Sequence, residues 1–369
     1  SARGCWALSD WRHSDICFSA ARVQTKQEPA LSRGEQAKQK FCLSQGRQTK
    51  QEPVLSRVEQ AKRKSCLRHG TRTKQEPARA GQHREKNMAE VYSDFARVYD
   101  ELMDNAPYGE WCENIDALIR EYGISRPVRE MGPEESAVSS GTQEDLLASE
   151  RNLVLDLGCG TGTLTELLSQ KGYDMMGVDN SPEMLEIAME KREESGSGIL
   201  YLLQDMREME LYSTVGTVIS VCDSLNYLLE EKDLLQVFRR VDNYLYPGGL
   251  FLFDFNTVYK YSEVIGDAII AENREDCSFI WENYYHQEEQ VNEYDLTVFV
   301  REEGERFRRF TENHFQRGYT PRDMRRLVEQ AGMRVIRLLD ADTLGEVTDG
   351  SERVYLLARE CCKGQGRLE

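Results

Sequence analysis

The sequence predicts an α/β fold: a doubly wound, mainly parallel sheet flanked by helices, with an antiparallel excursion after the fifth strand. Three observations predict it. Residues 154–165 read Val-Leu-Asp-Leu-Gly-Cys-Gly-Thr-Gly-Thr-Leu-Thr, an apolar run that ends in a glycine loop and opens at once into an amphipathic helix. Short apolar runs then alternate with helical patterns. Residues 250–255 are apolar on both faces, as in a strand covered by helices on both sides.

The elements follow in order. Residues 152–157 form the first strand and 163–171 a helix. A strand at 174–179 ends in Asp179. Ser181 caps the next helix, with Pro182 at its first position and Glu183 in its first turn. Strands follow at 199–203 and 215–222. Residues 232–245 are helical, with Leu234, Leu235, Phe238, Val241 and Leu245 inward. Pro247-Gly248-Gly249 reads as a turn before the fifth strand. Residues 257–318 break the rhythm with aromatic and β-branched runs such as Phe279-Ile-Trp281 and Leu296-Thr-Val-Phe-Val300. They read as an antiparallel insertion leaving the carboxyl edge of the sheet, where open α/β sheets bind ligands, and hence as a substrate cover. Thr320 and Pro321 start another helix, Gly332 ends it, and 335–339 and 353–358 are the last strands.

The front of the chain differs. Thr25-Lys-Gln-Glu-Pro29 recurs at 49–53 and 73–77, a 24-residue period, and residues 25–48 match 49–72 at 16 positions. The copies offer too few apolar residues to stack as a solenoid, so 1–87 is expected to be a disordered basic tail. Its character changes abruptly at Met88. Two readings stay open: upstream sequence that is not native, or a tethering tail. Residues 88–128 carry helical apolar spacing at Tyr92, Phe95 and Tyr99, then at Trp111, Ile115, Leu118 and Ile119. Residues 129–150 are polar and read as a flexible insertion. The main domain is expected over 151–360, and 361–369 is a short tail.

Charge is split between these parts. Residues 1–87 hold 19 Lys and Arg against 8 Asp and Glu, and residues 88–369 hold 28 against 56, a net of −28. A body that acidic repels a phosphate backbone and argues against nucleic acid as partner. No apolar run approaches a membrane span. Arg3, Asp10, Arg12 and Asp15 exclude a signal peptide in the first twenty residues. Ten cysteines without CxxC or a Cys/His cluster read as free thiols of a cytoplasmic protein, with no metal site.

A strand, a glycine turn and a helix make a site for a nucleotide cofactor. The dinucleotide fingerprint would place its third glycine at 163, which is Thr163. The pattern Gly158-x-Gly160-x-Gly162 instead resembles motif I of the class I S-adenosylmethionine (SAM) dependent methyltransferases. Asp179 at the second strand, Gln204-Asp205-Met206 after the third and the Pro247-Gly-Gly turn occur in the same order as in that family. The segment Tyr92-Ser-Asp-Phe95-Ala-Arg-Val-Tyr99-Asp100, together with Cys222-Asp-Ser-Leu-Asn-Tyr227, resembles a bacterial branch of it. The resemblance covers 88–360 and excludes 1–87 and 129–150. It implies a seven-stranded Rossmann-like sheet of order 3-2-1-4-5-7-6 with the last strand antiparallel. It also implies amino-terminal helices that lid the cofactor.

SAM presents an amino-acid end, a ribose and an adenine. Asp156 stands where a carboxylate meets the ammonium. Gly158 and Gly160 are expected to bring backbone N–H groups to the carboxylate. Asp179, with Asn180 beside it, is suited to accept hydrogen bonds from the ribose hydroxyls. The family holds adenine at the positions of Asp205 and Met206. Cys222 lies beside the transferring methyl, and Tyr99 is a further cofactor contact. Methyl transfer from a sulfonium needs mainly alignment, with a general base only if the nucleophile arrives protonated. Asp223, Tyr227, Tyr285 and His314 are the candidate catalytic residues.

The leading reading is a SAM-dependent methyltransferase acting on a small molecule. The alternatives are a methyltransferase for tRNA, rRNA or protein, and a SAM-binding protein without turnover. An NAD-dependent enzyme is disfavoured by Thr163. The sequence names neither the acceptor atom nor the oligomeric state.

Overall fold

The computed structural model describes residues 95–128, 143–302 and 304–363. The repeats of the front segment, Tyr92 and most of the 129–150 insertion lie outside these residues. The segment 95–102 is helical. The elements that follow are α1 (Tyr108–Tyr122), α2 (Gln143–Asn152), β1 (Leu153–Leu157), α3 (Thr163–Gln170), β2 (Asp174–Asp179), α4 (Pro182–Ser195), β3 (Leu200–Leu203), β4 (Val215–Ser220), α5 (Glu231–Tyr244) and β5 (Leu245–Asn256). After β5 come β6 (Ile269–Asn273), β7 (Cys277–His286), β8 (Val291–Arg301), β9 (Phe307–Arg317), α6 (Pro321–Gln330), β10 (Arg334–Asp340) and β11 (Arg353–Arg359).

The main sheet has the order β10-β11-β5-β4-β1-β2-β3. β1 to β5 run parallel, and β11 pairs antiparallel with both β5 and β10. This is the expected order. The switch point falls between β1 and β4, where successive crossovers leave in opposite directions and open a crevice at the carboxyl edge.

Side-chain alternation builds one core on each face of the sheet. Leu155 and Leu157 of β1, with Phe251, Phe253 and Phe255 of β5, pack against Leu234, Phe238 and Val241 of α5 and Met324, Leu327 and Val328 of α6. Val154, Leu250, Leu252 and Tyr355 point the other way, onto Trp111, Ile115 and Ile119 of α1 and Leu164 and Leu168 of α3. The caps act as the sequence predicts. The Ser181 hydroxyl accepts from the Met184 N–H at the start of α4, and the Thr320 hydroxyl accepts from the Asp323 N–H at the start of α6.

One reading changes. Pro247-Gly248-Gly249 is not a separate turn before β5. It lies inside β5, where the register against β4 jumps from Val215–Leu245 to Thr217–Leu250. Gly248 takes φ 77°, so the extra residues bulge out and the strand resumes in line.

The insertion forms its own antiparallel sheet, β6-β7-β8-β9. Its register puts Phe279, Trp281, Asn283 and Tyr285 of β7 on one face with Asn292, Tyr294, Leu296 and Val298 of β8 and Phe310, His314 and Gln316 of β9. That face covers a third apolar cluster, which includes Val98, Leu102 and Tyr261.

The glycine loop fits tightly against β3. Gly162 has φ 73°, and a Cβ on it would stand 2.5 Å from Tyr201 Oη and 3.0 Å from Ala188 Cβ. The Tyr201 ring also covers Gly177, where a Cβ would stand 2.6 Å from its Cδ1. Gly162→Ala is therefore expected to cost about 2–4 kcal/mol from left-handed strain plus overpacking. A urea melt measures this, and an unchanged midpoint would contradict it.

Candidate functional site

The site forms where β1, β2 and β4 end. Asp156 is the buried acid of β1, at 2% exposure, and its Oδ2 accepts the Thr165 hydroxyl at 2.6 Å. Burial pushes its carboxyl up to about 7, and the Thr165 bond only partly opposes the rise. Asp179 ends β2. Its Oδ2 accepts the Gly160 N–H at 2.8 Å and its Oδ1 the Ser181 N–H at 2.9 Å. Burial raises this carboxyl too, against the pull of those backbone donors.

The Gly158 N–H donates to the Val178 carbonyl at 2.7 Å, and the Gly160 N–H is taken by Asp179. Both N–H groups are thus paired within the protein. The glycines also leave space. Gly160 has φ 54°, with nothing within 4 Å of where a Cβ would point. Gly158, at φ 81°, faces Ser224 Oγ on one side and the Met206 methyl at 3.5 Å on another. The loop is an open cradle that side chains would fill, between two carboxylates.

After β3, both Asp205 oxygens accept from the Arg207 guanidinium, which holds this carboxyl below its ordinary value. Asn180 is exposed beside Asp179. Tyr99, reaching in from the 95–102 helix, packs on the same apolar cluster as Cys222.

The loop after β4 is strained. Cys222 and Asp223 are consecutive non-glycine residues at φ 61° and 52°. One carboxylate holds both: the Cys222 N–H donates to Asp254 Oδ2 at 3.2 Å, and the Asp223 N–H to Asp254 Oδ1 at 3.0 Å. Asp254 lies inside β5 at 1% exposure, with the Arg353 guanidinium 3.7 Å away. Sequence reasoning missed it, although a lone acid in Phe-Leu-Phe-Asp-Phe was a signal.

This loop turns Asp223 under the cover sheet, where it accepts from the Gln316 amide of β9. Burial pushes its carboxyl up to about 6, with Lys260 pulling the other way. Tyr227 Oη lies 3.1 Å from Tyr294 Oη and 3.3 Å from His314 Nδ1. The Tyr294 and His314 rings stack at 4.8 Å. Burial pulls His314 down to about 4, so the imidazole is neutral near pH 7. Of the four candidate catalytic residues, Asp223, Tyr227 and His314 thus gather at one place. Tyr285 shares the inner face of the cover, in the row of Asn292 and of the Gln316 that holds Asp223, next to the His314–Tyr294 row.

Among the described residues no group of three or more His, Cys, Asp or Glu is placed to hold a metal, and no helix is long and apolar enough to cross a membrane.

Asp156 carries a stability signature. Its folded value near 7 lies above its ordinary 3.8, so between these values the folded state holds a proton that the unfolded chain has lost. Stability then falls as pH rises through that window. Asp156→Asn removes the titration. The variant should gain on the wild type from pH 4 to 7, reaching an advantage of order 2–4 kcal/mol above pH 7. Thermal melts across pH measure this, and a gain that shrinks with rising pH would contradict it.

A family model described as a methyltransferase domain matches residues 154–249. The chain is 34% identical over 271 residues to the Bacillus subtilis (strain 168) protein named "Putative methyltransferase YqeM", covering 73% of this chain and 97% of that protein. It matches the ubiquinone biosynthesis O-methyltransferase of Haemophilus ducreyi at 34% over 110 residues, 29% of this chain and 47% of that one. A solved SAM-dependent methyltransferase from Clostridium acetobutylicum ATCC 824 superposes with a TM-score of 0.60 at 27% identity, covering 73% of this chain and 99% of that one. With its sheet order and glycine loop, the chain belongs to the class I SAM-dependent methyltransferases.

Proposed function

We propose that this methyltransferase acts on a small molecule, held between the carboxyl edge of the main sheet and the inner face of the β6–β9 sheet. The observation that carries the reading is the Asp223, Tyr227, Tyr294 and His314 group, which joins the β4 edge to the cover. Polar groups among aromatic walls suit a closed pocket. The net charge of −28 over 88–369 opposes a phosphate backbone. The likeness to a protein of ubiquinone biosynthesis, over part of the chain, is in keeping with this.

The cradle fits the cofactor, having open space at Gly160 and carboxylates on both sides of the loop. Asp179 would take the ribose hydroxyls, and Asp156 the ammonium. Asp205 and Met206 would flank adenine, with Asn180 beside the ribose. Gly158, Cys222 and Tyr99 would line the amino-acid and methyl end. When bound, SAM supplies an electrophilic methyl on sulfur. The chain's own part is to align the acceptor and exclude water. Where the acceptor arrives protonated, Asp223 is the residue matched to take the proton near neutral pH, and the neutral His314 is the weaker base. Tyr227 would orient the acceptor, with Tyr285 further out on the same face. Residues 88–128, of which 95–128 are described, would serve as the lid and 257–318 as the cover. The free cysteines of the described residues accord with a cytoplasmic setting.

Tritiated methyl-SAM incubated with the chain and a cell extract, then sorted by size, tests the acceptor. Label should enter molecules below about a kilodalton, the scale that a pocket of this class encloses. Label in tRNA, rRNA or protein instead would overturn the small-molecule reading. Bound SAM with no label moved would favour a protein without turnover.

A further inference from the structure

The helical segment 95–102 has two contact faces. Phe95, Val98 and Leu102 sit on the cluster beneath the cover sheet, where the Phe95 ring is 6.4 Å from Phe310 and 6.1 Å from His314. Arg274, between β6 and β7, ties the same side by donating to the Glu101 carbonyl and pairing with Asp104 at 2.9 Å. Tyr99 and Met103 face the cluster that holds Leu164 of α3 and Val221 of the β4 edge. One helix therefore touches both the cover and the cofactor loop.

Asp100 makes the polar contact on the loop side. Its Oδ1 accepts the Thr161 hydroxyl at 2.7 Å and the Thr163 hydroxyl at 3.3 Å. Its Oδ2 pairs with Lys191 Nζ of α4 at 2.6 Å. Lys191 also donates to Thr163 Oγ1 at 2.6 Å, and Thr163 Oγ1 lies 3.3 Å from Thr161 Oγ1, which closes a ring of four side chains. Thr161 is buried, and the carboxylate and ammonium are both partly shielded. The carboxylate also stands at the start of α3, where the helix favours negative charge. An isolated surface pair would contribute little. This one shares the Thr161 hydroxyl of the glycine loop and the Thr163 hydroxyl at the start of α3.

We propose that Asp100 and Lys191 form a latch that holds the 95–102 helix against the glycine loop and sets how long SAM stays bound. The proposal rests on the reading that SAM occupies the Gly158–Gly162 cradle. Neither residue touches the reacting atoms, and both act as positioning residues. The helix contributes Tyr99 to the loop side and Phe95 to the cover. Releasing the latch frees the exit path without altering the carboxylates that bind the cofactor. The effect belongs in the dissociation rate, with encounter nearly unchanged.

The test is a chase experiment on the full chain. Tritiated SAM is bound, then displaced by excess unlabelled S-adenosylhomocysteine. Lys191→Met and Asp100→Ala should each release label about tenfold faster, the scale of a partly screened charge-assisted hydrogen bond. Association should stay within about twofold. The double variant should fall short of the product of the two single effects, because both single variants already lose the Asp100–Lys191 pair. Lys191→Arg should restore slow release. Lys191 lies on a partly exposed helix face, so that variant retains the fold even if Asp100→Ala does not, and melting curves check both. Unchanged release from folded Lys191→Met, or a lower melting temperature as the only effect, would overturn the latch. A wild type that binds no SAM would overturn the cradle reading, and the latch with it.

Discussion

Asp156 and Asp179 end two adjacent parallel strands, and burial raises both carboxyls above their ordinary range. Holding two acids there costs free energy, and the surrounding structure limits that cost. Thr165 from α3 bonds to Asp156, and the loop spends the Gly160 N–H on Asp179. The glycines then take positive φ because the chain must turn within a few residues from strand to helix, under Tyr201 and beside Ser224. The parallel sheet makes this geometry available, since its crossovers diverge beside β1 and leave the carboxyl edge open.

A third acid organises the acceptor side in the same manner. Asp254 sits among the phenylalanines of β5 and holds two consecutive left-handed residues through their N–H groups. Each such residue costs roughly 1–2 kcal/mol, which the charge-assisted bonds offset. The strain sends the Asp223 carboxylate toward Gln316 of the cover. A chain of bonds runs on from Gln316 through Tyr261 and Asn256 to Lys260. The main sheet and the inserted sheet are thus joined by polar groups at the place where an acceptor would sit.

Much of this was legible in the residue pattern. The strand–glycine–helix unit, the Ser181 and Thr320 caps and the doubly buried β5 follow from local chemistry, and so does the antiparallel insertion. The strand order came from family resemblance, because periodicity carries no information on which strands are neighbours. What stayed hidden depends on contacts far apart in sequence. The Pro247–Gly249 bulge is set by pairing with β4, and a local reading sees only turn residues. The fate of the Gly158 and Gly160 N–H groups depends on where β2 ends. Asp100 and Lys191 look like ordinary surface charges until the fold brings them to 2.6 Å. Tyr285 carries the same aromatic signal as Tyr294, yet strand register decides which of them stacks on His314.

A crystal structure of the chain with S-adenosylhomocysteine bound tests the central claim, that the two strand-end carboxylates frame the cofactor. The account predicts both ribose hydroxyls within about 3.2 Å of Asp179, with the amino-acid end on the open side of Gly160 and its ammonium toward Asp156. A ligand whose ribose lies away from Asp179, or whose amino-acid end avoids the loop, would contradict it.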